Sequence, residues 1–156
     1  MDHHSHRPRV LLVDADDAAR HALETHLIDA DYDVHTASSG RRAISLCEQQ
    51  PPDIVIMDIH LPDMDGFEVC GYVRHETRDE DVSIIIMTEP SDELTRSYLG
   101  SMVEFAGGDF YFSKPCDGKL LVKLLDDLTA EWTPESDAHR GACAQEKRRK
   151  RTLALT

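Results

Sequence analysis

Residues 52–66 read Pro-Asp-Ile-Val-Ile-Met-Asp-Ile-His-Leu-Pro-Asp-Met-Asp-Gly, and the other predicted elements are arranged around this stretch. Its apolar, largely β-branched run from Ile54 to Met57 predicts a strand that is buried on both faces. The run stops at a carboxylate, Asp58, and a segment rich in turn-forming residues follows. Because chemistry in an open parallel sheet lies at the carboxyl ends of strands, Asp58 occupies the position of a reactive group. The alternative is that Asp58 only caps the turn that follows it.

The rest of the chain alternates predicted strands and helices around this stretch. Short apolar or β-branched runs predict strands over 9–13, 33–37, 54–57, 82–87 and 109–113. Apolar residues at helical spacing predict helices over 18–30, 41–50, 66–76, 90–105 and 117–132, the last with Asp117 as its N-cap. This alternation predicts an α/β fold, a doubly wound five-stranded parallel sheet with helices on both faces.

The charge of the chain is unevenly distributed. The 156 residues carry a net charge of −13, and the part before Thr133, with 11 basic and 27 acidic residues, carries −16. Such an acidic body argues against nucleic-acid binding by the folded part. No apolar run reaches the length of about 20 residues that spans a bilayer. Because the N-terminal residues lack an apolar stretch, we expect no secretory signal there. The four cysteines lack zinc or C-x-x-C spacing, so we expect reduced thiols and a cytoplasmic protein.

We predict one folded domain over 9–132, a flexible leader over 1–8 and a flexible tail over 133–156. The tail carries a basic run, Lys147 to Arg151, which could contact nucleic acid, an anionic membrane or an acidic partner. It could equally fold back on the acidic body or stay solvated. The solvated interpretation carries the most weight because no aromatic residue or amphipathic helix accompanies the run. Since so short a segment cannot fold into a further domain by itself, we expect no DNA-binding domain.

Polar side chains follow four of the predicted strands. Asp14 and Asp16 follow the first, Asp58 the third, Thr88 the fourth and Lys114 the fifth. In a parallel sheet these strand ends share one edge, which would create a carboxylate cluster flanked by a hydroxyl and an ammonium group. Clustered carboxylates repel one another unless a cation bridges them, and Mg²⁺ prefers oxygen ligands. These residue types favour phosphoryl transfer onto Asp58.

Four sequence motifs carry a resemblance to a known family. They are Val-Leu-Leu-Val-Asp at 10–14, the stretch 52–66, Ile-Ile-Ile-Met-Thr at 84–88 and Phe-Tyr-Phe-Ser-Lys-Pro at 110–115. With these motifs in this order, the chain from about Arg9 to Leu128 resembles the receiver domain of two-component response regulators. The resemblance implies the flavodoxin-like (βα)5 architecture of the chemotaxis regulators, with strand order 2-1-3-4-5.

The resemblance also implies roles for residues at the strand ends. Asp58 would accept a phosphoryl group from a histidine kinase or a phosphotransfer protein. Thr88 and Lys114 would bind the phosphoryl oxygens, and Tyr111 would be the aromatic switch residue. The peptide bond from Lys114 to Pro115 would be cis.

The implied magnesium site is formed by Asp14, Asp58 and the backbone carbonyl of His60. The family usually has a second acid directly after Asp14, but this chain has Ala15 there. We therefore expect weakened Mg²⁺ binding, or a rearranged site in which Asp14 or Asp16 supplies the missing oxygen.

Two further features depart from the family pattern. Glu89 follows Thr88, where a small residue is usual, and its carboxylate either faces solvent, which we favour, or turns inward to replace the lost ligand. The separation of 26 positions between Thr88 and Lys114 predicts a longer fourth helix or following loop.

The sequence thus predicts a single-domain response regulator, a phosphoacceptor switch and not a turnover enzyme. It would relay its signal through a phosphorylation-dependent protein-binding surface to an unidentified effector, with homodimer formation left open. The first alternative is a degenerate receiver that binds partners without phosphorylation, because its metal site is altered at Ala15. The second is an aspartate-nucleophile phosphatase, since Asp14-Ala15-Asp16 matches the D-x-D pattern of such enzymes.

Overall fold

The computed structural model describes residues 7–75, 82–89, 97, 101–103, 105 and 107–130. Five parallel strands form one sheet in the order β2-β1-β3-β4-β5. The strands are β1 (Arg9–Val13), β2 (Asp33–Ala37), β3 (Ile54–Asp58), β4 (Ser83–Thr88) and β5 (Phe110–Ser113). The helices are α1 (Asp17–Asp29), α2 (Gly40–Gln49), α3 (Gly66–His75) and α4 (Gly118–Thr129). The predicted fold class and strand order are confirmed.

Some predicted segments lie partly or wholly outside the described residues. Of the helix predicted over 90–105, only positions 97, 101–103 and 105 are described, and these are helical. The predicted leader is described only at Arg7 and Pro8, and the predicted tail over 133–156 is not described at all. Among the described residues, no helix is both long and apolar enough to cross a bilayer.

The two faces of the sheet bury two separate apolar clusters because successive residues of a strand point to opposite sides. Leu11, Val55 and Ile86 belong to one cluster, which also contains Ala43 of α2 and Val69 of α3. The other cluster comprises Val10, Leu12, Leu23, Leu27, Tyr32, Ile54, Ile56, Ile85, Met87, Leu121 and Leu125. Helices therefore cover both faces, as the uninterrupted apolar strands predicted.

The apolar face of α4 leaves one of its leucines exposed. Leu121 and Leu125 are fully buried, whereas Leu120 is 56 % exposed. Leu124 and Leu128 are partly buried and pack against the same cluster, so Leu120 lies at the exposed margin of one broad apolar face.

Side-chain caps set the starts of three helices. Ser39 caps α2 by accepting from the backbone N of Arg42 at 3.2 Å, and Asp117 caps α4, as predicted. Asp16 caps α1 by accepting from the backbone N of Ala19 at 3.1 Å. Each cap satisfies an N–H group that has no partner within its helix.

Candidate functional site

The carboxyl ends of β1 and β3 bring two acids beside Lys114. The Lys114 Nζ lies 2.7 Å from Asp58 Oδ2 and 2.9 Å from Asp14 Oδ2, so one ammonium group bridges both carboxylates. The side chain of Asp14 is 1 % exposed and that of Asp58 is 9 % exposed. Asp58 is therefore the acid that an incoming group reaches first. The structure thus brings together three residues that lie far apart in the sequence.

Turn hydrogen bonds orient both carboxylates. Asp58 Oδ1 accepts from the backbone N of His60 at 3.0 Å, and Asp14 Oδ1 accepts from the backbone N of Asp16 at 2.9 Å. In each acid the second oxygen, Oδ2, faces Lys114. The interpretation of Asp58 as a turn cap is therefore correct for one of its two oxygens. The other oxygen belongs to the charged cluster.

The position of Lys114 is set by the end of β5. Its backbone N donates to the Thr88 carbonyl at 2.9 Å, which joins this residue to the end of β4. The peptide bond from Lys114 to Pro115 is cis, as the resemblance implied. Burial lowers the pKa of Lys114, but the hydrogen bonds and charges of Asp58 and Asp14 outweigh it, so the pKa lies above its ordinary value.

The other predicted site residues of β4 and β5 differ in accessibility. Thr88 is 2 % exposed at the end of β4, on the same edge as Asp58. Tyr111, on the edge strand β5, is 43 % exposed. Glu89, for which the sequence left two orientations open, is exposed.

Asp16 does not join the cluster. Its carboxylate caps α1, and the residue is exposed. Ala15 lines an open cleft of about 600 Å³ together with residues 59–62, 64 and 65, which include His60 and Asp65. The cleft lies next to the position that the second acid of the family usually occupies.

The donor atoms at this edge fit a hard cation. Asp14 Oδ2 is buried, and the Lys114 ammonium at 2.9 Å is the polar group that faces it within the described part of the chain. Within the described part of the chain, no group of three or more His, Cys, Asp or Glu side chains is arranged as a metal site. A cation here would therefore take oxygen from the two carboxylates and from the main chain, and such oxygen donors suit Mg²⁺.

One arginine supports the site without having been predicted from the sequence. Arg20 Nη1 donates to the backbone carbonyl of Asp14 at 2.8 Å, and its Nη2 donates to Asp17 Oδ1 at 2.6 Å. The three-residue spacing between Asp17 and Arg20 is a signal for an ion pair on one helix face. No sequence signal reveals the contact with Asp14, because it depends on how α1 packs beside β1.

A family model for the response regulator receiver domain matches residues 10–126. Among solved structures, the chemotaxis response regulator CheY4 of Vibrio cholerae is similar with a TM-score of 0.69 and 27 % identity, covering 78 % of this chain and 98 % of that one. A CheY-like receiver domain protein from Methanospirillum hungatei is similar with a TM-score of 0.70 and 25 % identity, covering 80 % and 95 %.

Similar curated proteins are considerably longer. The transcriptional regulatory protein AfsQ1 of Streptomyces coelicolor is 38 % identical over 114 residues, which cover 73 % of this chain and 48 % of that protein. The DNA-binding dual master transcriptional regulator RpaA of Synechocystis is 32 % identical over 115 residues, covering 70 % and 44 %. The chain spans about half the length of the curated relatives it matches.

These relatives correct the predicted partners. The sequence led us to expect no DNA-binding domain, but the named relatives are transcriptional regulators, and one of them is called DNA-binding. The expectation was wrong because it rested on the length of the segment after the folded domain, which says nothing of the kind of effector that receivers of this sequence type serve.

The match over residues 10–126, the sheet order and the cluster at the strand ends agree with one another. The chain therefore belongs to the family of response regulator receiver domains.

Proposed function

We propose that Asp58 accepts a phosphoryl group from a histidine kinase or a phosphotransfer protein. The observation that carries this proposal is the ammonium group of Lys114 held at 2.7 Å from Asp58 Oδ2, at the open side of the cluster. A carboxylate oxygen of Asp58 attacks the phosphorus, the P–N bond of the donor phosphohistidine breaks, and its electron pair returns to the imidazole. Receiver domains are signalling switches and not enzymes of the usual kind, so this transfer changes the state of the protein.

Three residues respond to the new charge. Phosphorylation adds a charge of about −1.5 to −2 at Asp58, which draws the Lys114 ammonium toward the phosphoryl oxygens. The buried hydroxyl of Thr88, at the end of the adjacent strand, donates a hydrogen bond to them. Tyr111, 43 % exposed, then packs inward and alters the surface that a downstream partner contacts.

Receiver domains generally bind Mg²⁺ in the phosphorylation site. Asp14, Asp58 and the backbone carbonyl of His60 would hold the ion here, which would offset negative charge on the transferring oxygens. We propose that binding is weaker than in ordinary receivers because Ala15 offers no oxygen and Asp16 is engaged at the start of α1. A calorimetric titration with MgCl₂ tests this, and an affinity equal to that of a receiver with two adjacent acids would contradict it.

The test of the function uses a small phosphodonor such as acetyl phosphate with MgCl₂ and intact-protein mass spectrometry. We expect a mass gain of one phosphoryl group in wild type and no gain in Asp58→Asn. The gain should be retained in Asp65→Asn, which changes another acid between β3 and α3. Peptide mapping after borohydride reduction should place the modification at Asp58. No mass gain with either acetyl phosphate or a phosphorylated histidine donor would overturn the proposal.

The output of the switch is inferred from the relatives. Because they are named transcriptional regulators, we infer that phosphorylation of this chain acts on a DNA-binding effector. Promoter binding by the effector that is the same with the phosphorylated and with the unphosphorylated chain would contradict this inference.

One observation favours a second candidate function. The cleft beside Ala15 and the capping role of Asp16 leave the metal site short of an oxygen, which suits a degenerate receiver that binds partners without phosphorylation. Partner binding that is identical in wild type and Asp58→Asn, together with no mass gain, would favour it. The phosphatase alternative fits poorly, since its nucleophile would be Asp14, which is 1 % exposed beneath Lys114.

A further inference from the structure

The loop that follows the phosphoacceptor strand is fastened to a helix on its other side. We define this β3–α3 loop as residues 59–65. Asp63 Oδ1 accepts from the backbone N of Gly40 at 2.8 Å, and Asp63 Oδ2 accepts from the backbone N of Arg41 at 2.9 Å. One carboxylate of the loop thus occupies two N–H groups in the first turn of α2. The pKa of Asp63 is lowered because the N–H groups of Arg41 and Gly40 stabilise its charged form.

A second contact joins the same two elements. A side-chain carbon at Gly40 would lie 2.2 Å from Met64 Cγ and 2.6 Å from Met64 Sδ. The Met64 side chain therefore occupies the space that any larger residue at position 40 would need. Consecutive residues of the loop, Asp63 and Met64, contact the same turn of α2.

Asp63 adds a partner from outside the helix to the cap that α2 carries in its own sequence. Ser39 is already the N-cap, since its Oγ accepts from the backbone N of Arg42. Asp63 binds two different N–H groups and comes from a segment that lies 23 positions away from Gly40 in the chain. The carboxylate therefore holds the loop in place as well as capping the helix.

The other end of the loop leads directly to the proposed site. The backbone N of His60 donates to Asp58 Oδ1, and the backbone N of Gly66 donates to the Ile59 carbonyl at 2.9 Å. A bridge between His60 and Asp65 closes the loop between these points. The short loop backbone, held by hydrogen bonds at both of its ends, thus connects α2 with the carboxylate of Asp58.

We propose that Asp63 is a positioning residue that clamps the β3–α3 loop onto α2 and so fixes the backbone of His60 beside Asp58. The proposal rests on the proposed function, in which the His60 carbonyl binds Mg²⁺. Receivers with two adjacent acids have a carboxylate where this chain has Ala15. Without that carboxylate, the carbonyl oxygen of His60 would be one of fewer protein ligands to the cation, so its position matters more. The clamp therefore contributes to cation affinity without Asp63 touching the cation.

Three variants separate positioning from helix stability. Asp63→Asn keeps the shape but presents an amide group to one of the two N–H groups. Gly40→Ala improves helix propensity while it displaces Met64. Ser39→Ala, the matched control, removes a cap from the same turn and leaves both loop contacts intact.

The primary readout is amide hydrogen exchange of His60 and Gly66, which requires neither Mg²⁺ nor phosphorylation. We expect about tenfold faster exchange in Asp63→Asn and in Gly40→Ala, since hydrogen bonds to a charged group are lost or displaced. Calorimetry with MgCl₂ should give a dissociation constant raised severalfold in both variants. Ser39→Ala should leave exchange of these two amides and the dissociation constant as in wild type.

Exchange of His60 and Gly66 unchanged in Asp63→Asn would overturn the proposal. So would a Ser39→Ala variant that matches Asp63→Asn in both readouts, because the effect would then be one of helix stability. If Asp58 takes up no phosphoryl group while exchange still rises in the two loop variants, the proposed function fails and the clamp stands.

Discussion

Lys114→Met removes the ammonium group that bridges Asp14 and Asp58 and keeps an unbranched side chain of similar length. In the native protein the ammonium lies 2.7 Å and 2.9 Å from the two carboxylates, which are 9 % and 1 % exposed. Removing one partner of a buried ion pair costs about 3–5 kcal/mol because the remaining charge is uncompensated. Here two like charges remain, but Asp58 borders solvent, so we expect a loss of about 3 kcal/mol in unfolding free energy.

Urea unfolding followed by circular dichroism measures this loss, with Lys119→Met as the control. Lys119 is exposed on α4, and its substitution should change the unfolding free energy by less than about 0.5 kcal/mol. Since a divalent cation can replace the ammonium between the carboxylates, MgCl₂ should stabilise Lys114→Met more than wild type. Adding Asp14→Asn to Lys114→Met should restore part of the lost stability, because it removes one of the two repelling charges.

Two results would refute this reasoning. The first is a Lys114→Met variant whose unfolding free energy lies within about 0.5 kcal/mol of wild type, the range of an ordinary surface substitution. The second is equal stabilisation of both proteins by MgCl₂, which would mean that the ammonium and the cation do not share a site.

Three further predictions concern other parts of the molecule. Arg74→Leu should lower the unfolding free energy by about 3–5 kcal/mol without preventing phosphorylation of Asp58. It removes the guanidinium that pairs at 2.9 Å with Asp109, whose side chain is fully buried. Near-native urea unfolding would contradict this prediction. The pKa of Asp33 is lowered, since hydrogen bonding from Arg9 and the charge of His35 outweigh the opposing effect of burial. The stability that Asp33 contributes is therefore present above its ordinary pKa of 3.8 and is lost as the pH falls through the lower pKa of the folded state. The unfolding free energies of wild type and Asp33→Asn should therefore become equal only in acid. A difference between them that persists in acid would refute the assignment. Burial, with a smaller effect from Asp117, raises the pKa of Cys116 to about 11. Alkylation of Cys116 by iodoacetamide at pH 8 should therefore be far slower than alkylation of a free thiol. Equal alkylation rates would contradict this prediction.

The strands were the most predictable elements. Predicted and observed bounds agree for 33–37 and differ by one residue for 54–57, where Asp58 itself pairs with Met87 as the last residue of β3. Strands that are buried on both faces must be apolar throughout, so the sequence states their extent plainly. The width of the buried stripe on α4 was less predictable, since leucine is tolerated on an exposed face, as Leu120 shows.

The candidate site was predictable only in part. Asp14, Asp58 and Lys114 could be expected at one edge because a parallel sheet collects its strand ends there. That Asp16 turns away to cap α1 could not, because the same carboxylate suits both a helix start and a cation. Local sequence makes both roles possible, and the packing of α1 beside β1 selects one.

By itself, the order of apolar runs and strand-end polar residues determined the architecture and the identity of the cluster. Those features depend on periodicity and on residue type, which are properties of neighbouring positions. Three contacts emerge only when the elements pack together. One ammonium bridges two carboxylates, Arg20 binds the Asp14 carbonyl, and Asp63 accepts from two N–H groups of α2. Each of these depends on distances of about 3 Å between groups on different elements, and packing in three dimensions is what sets such distances.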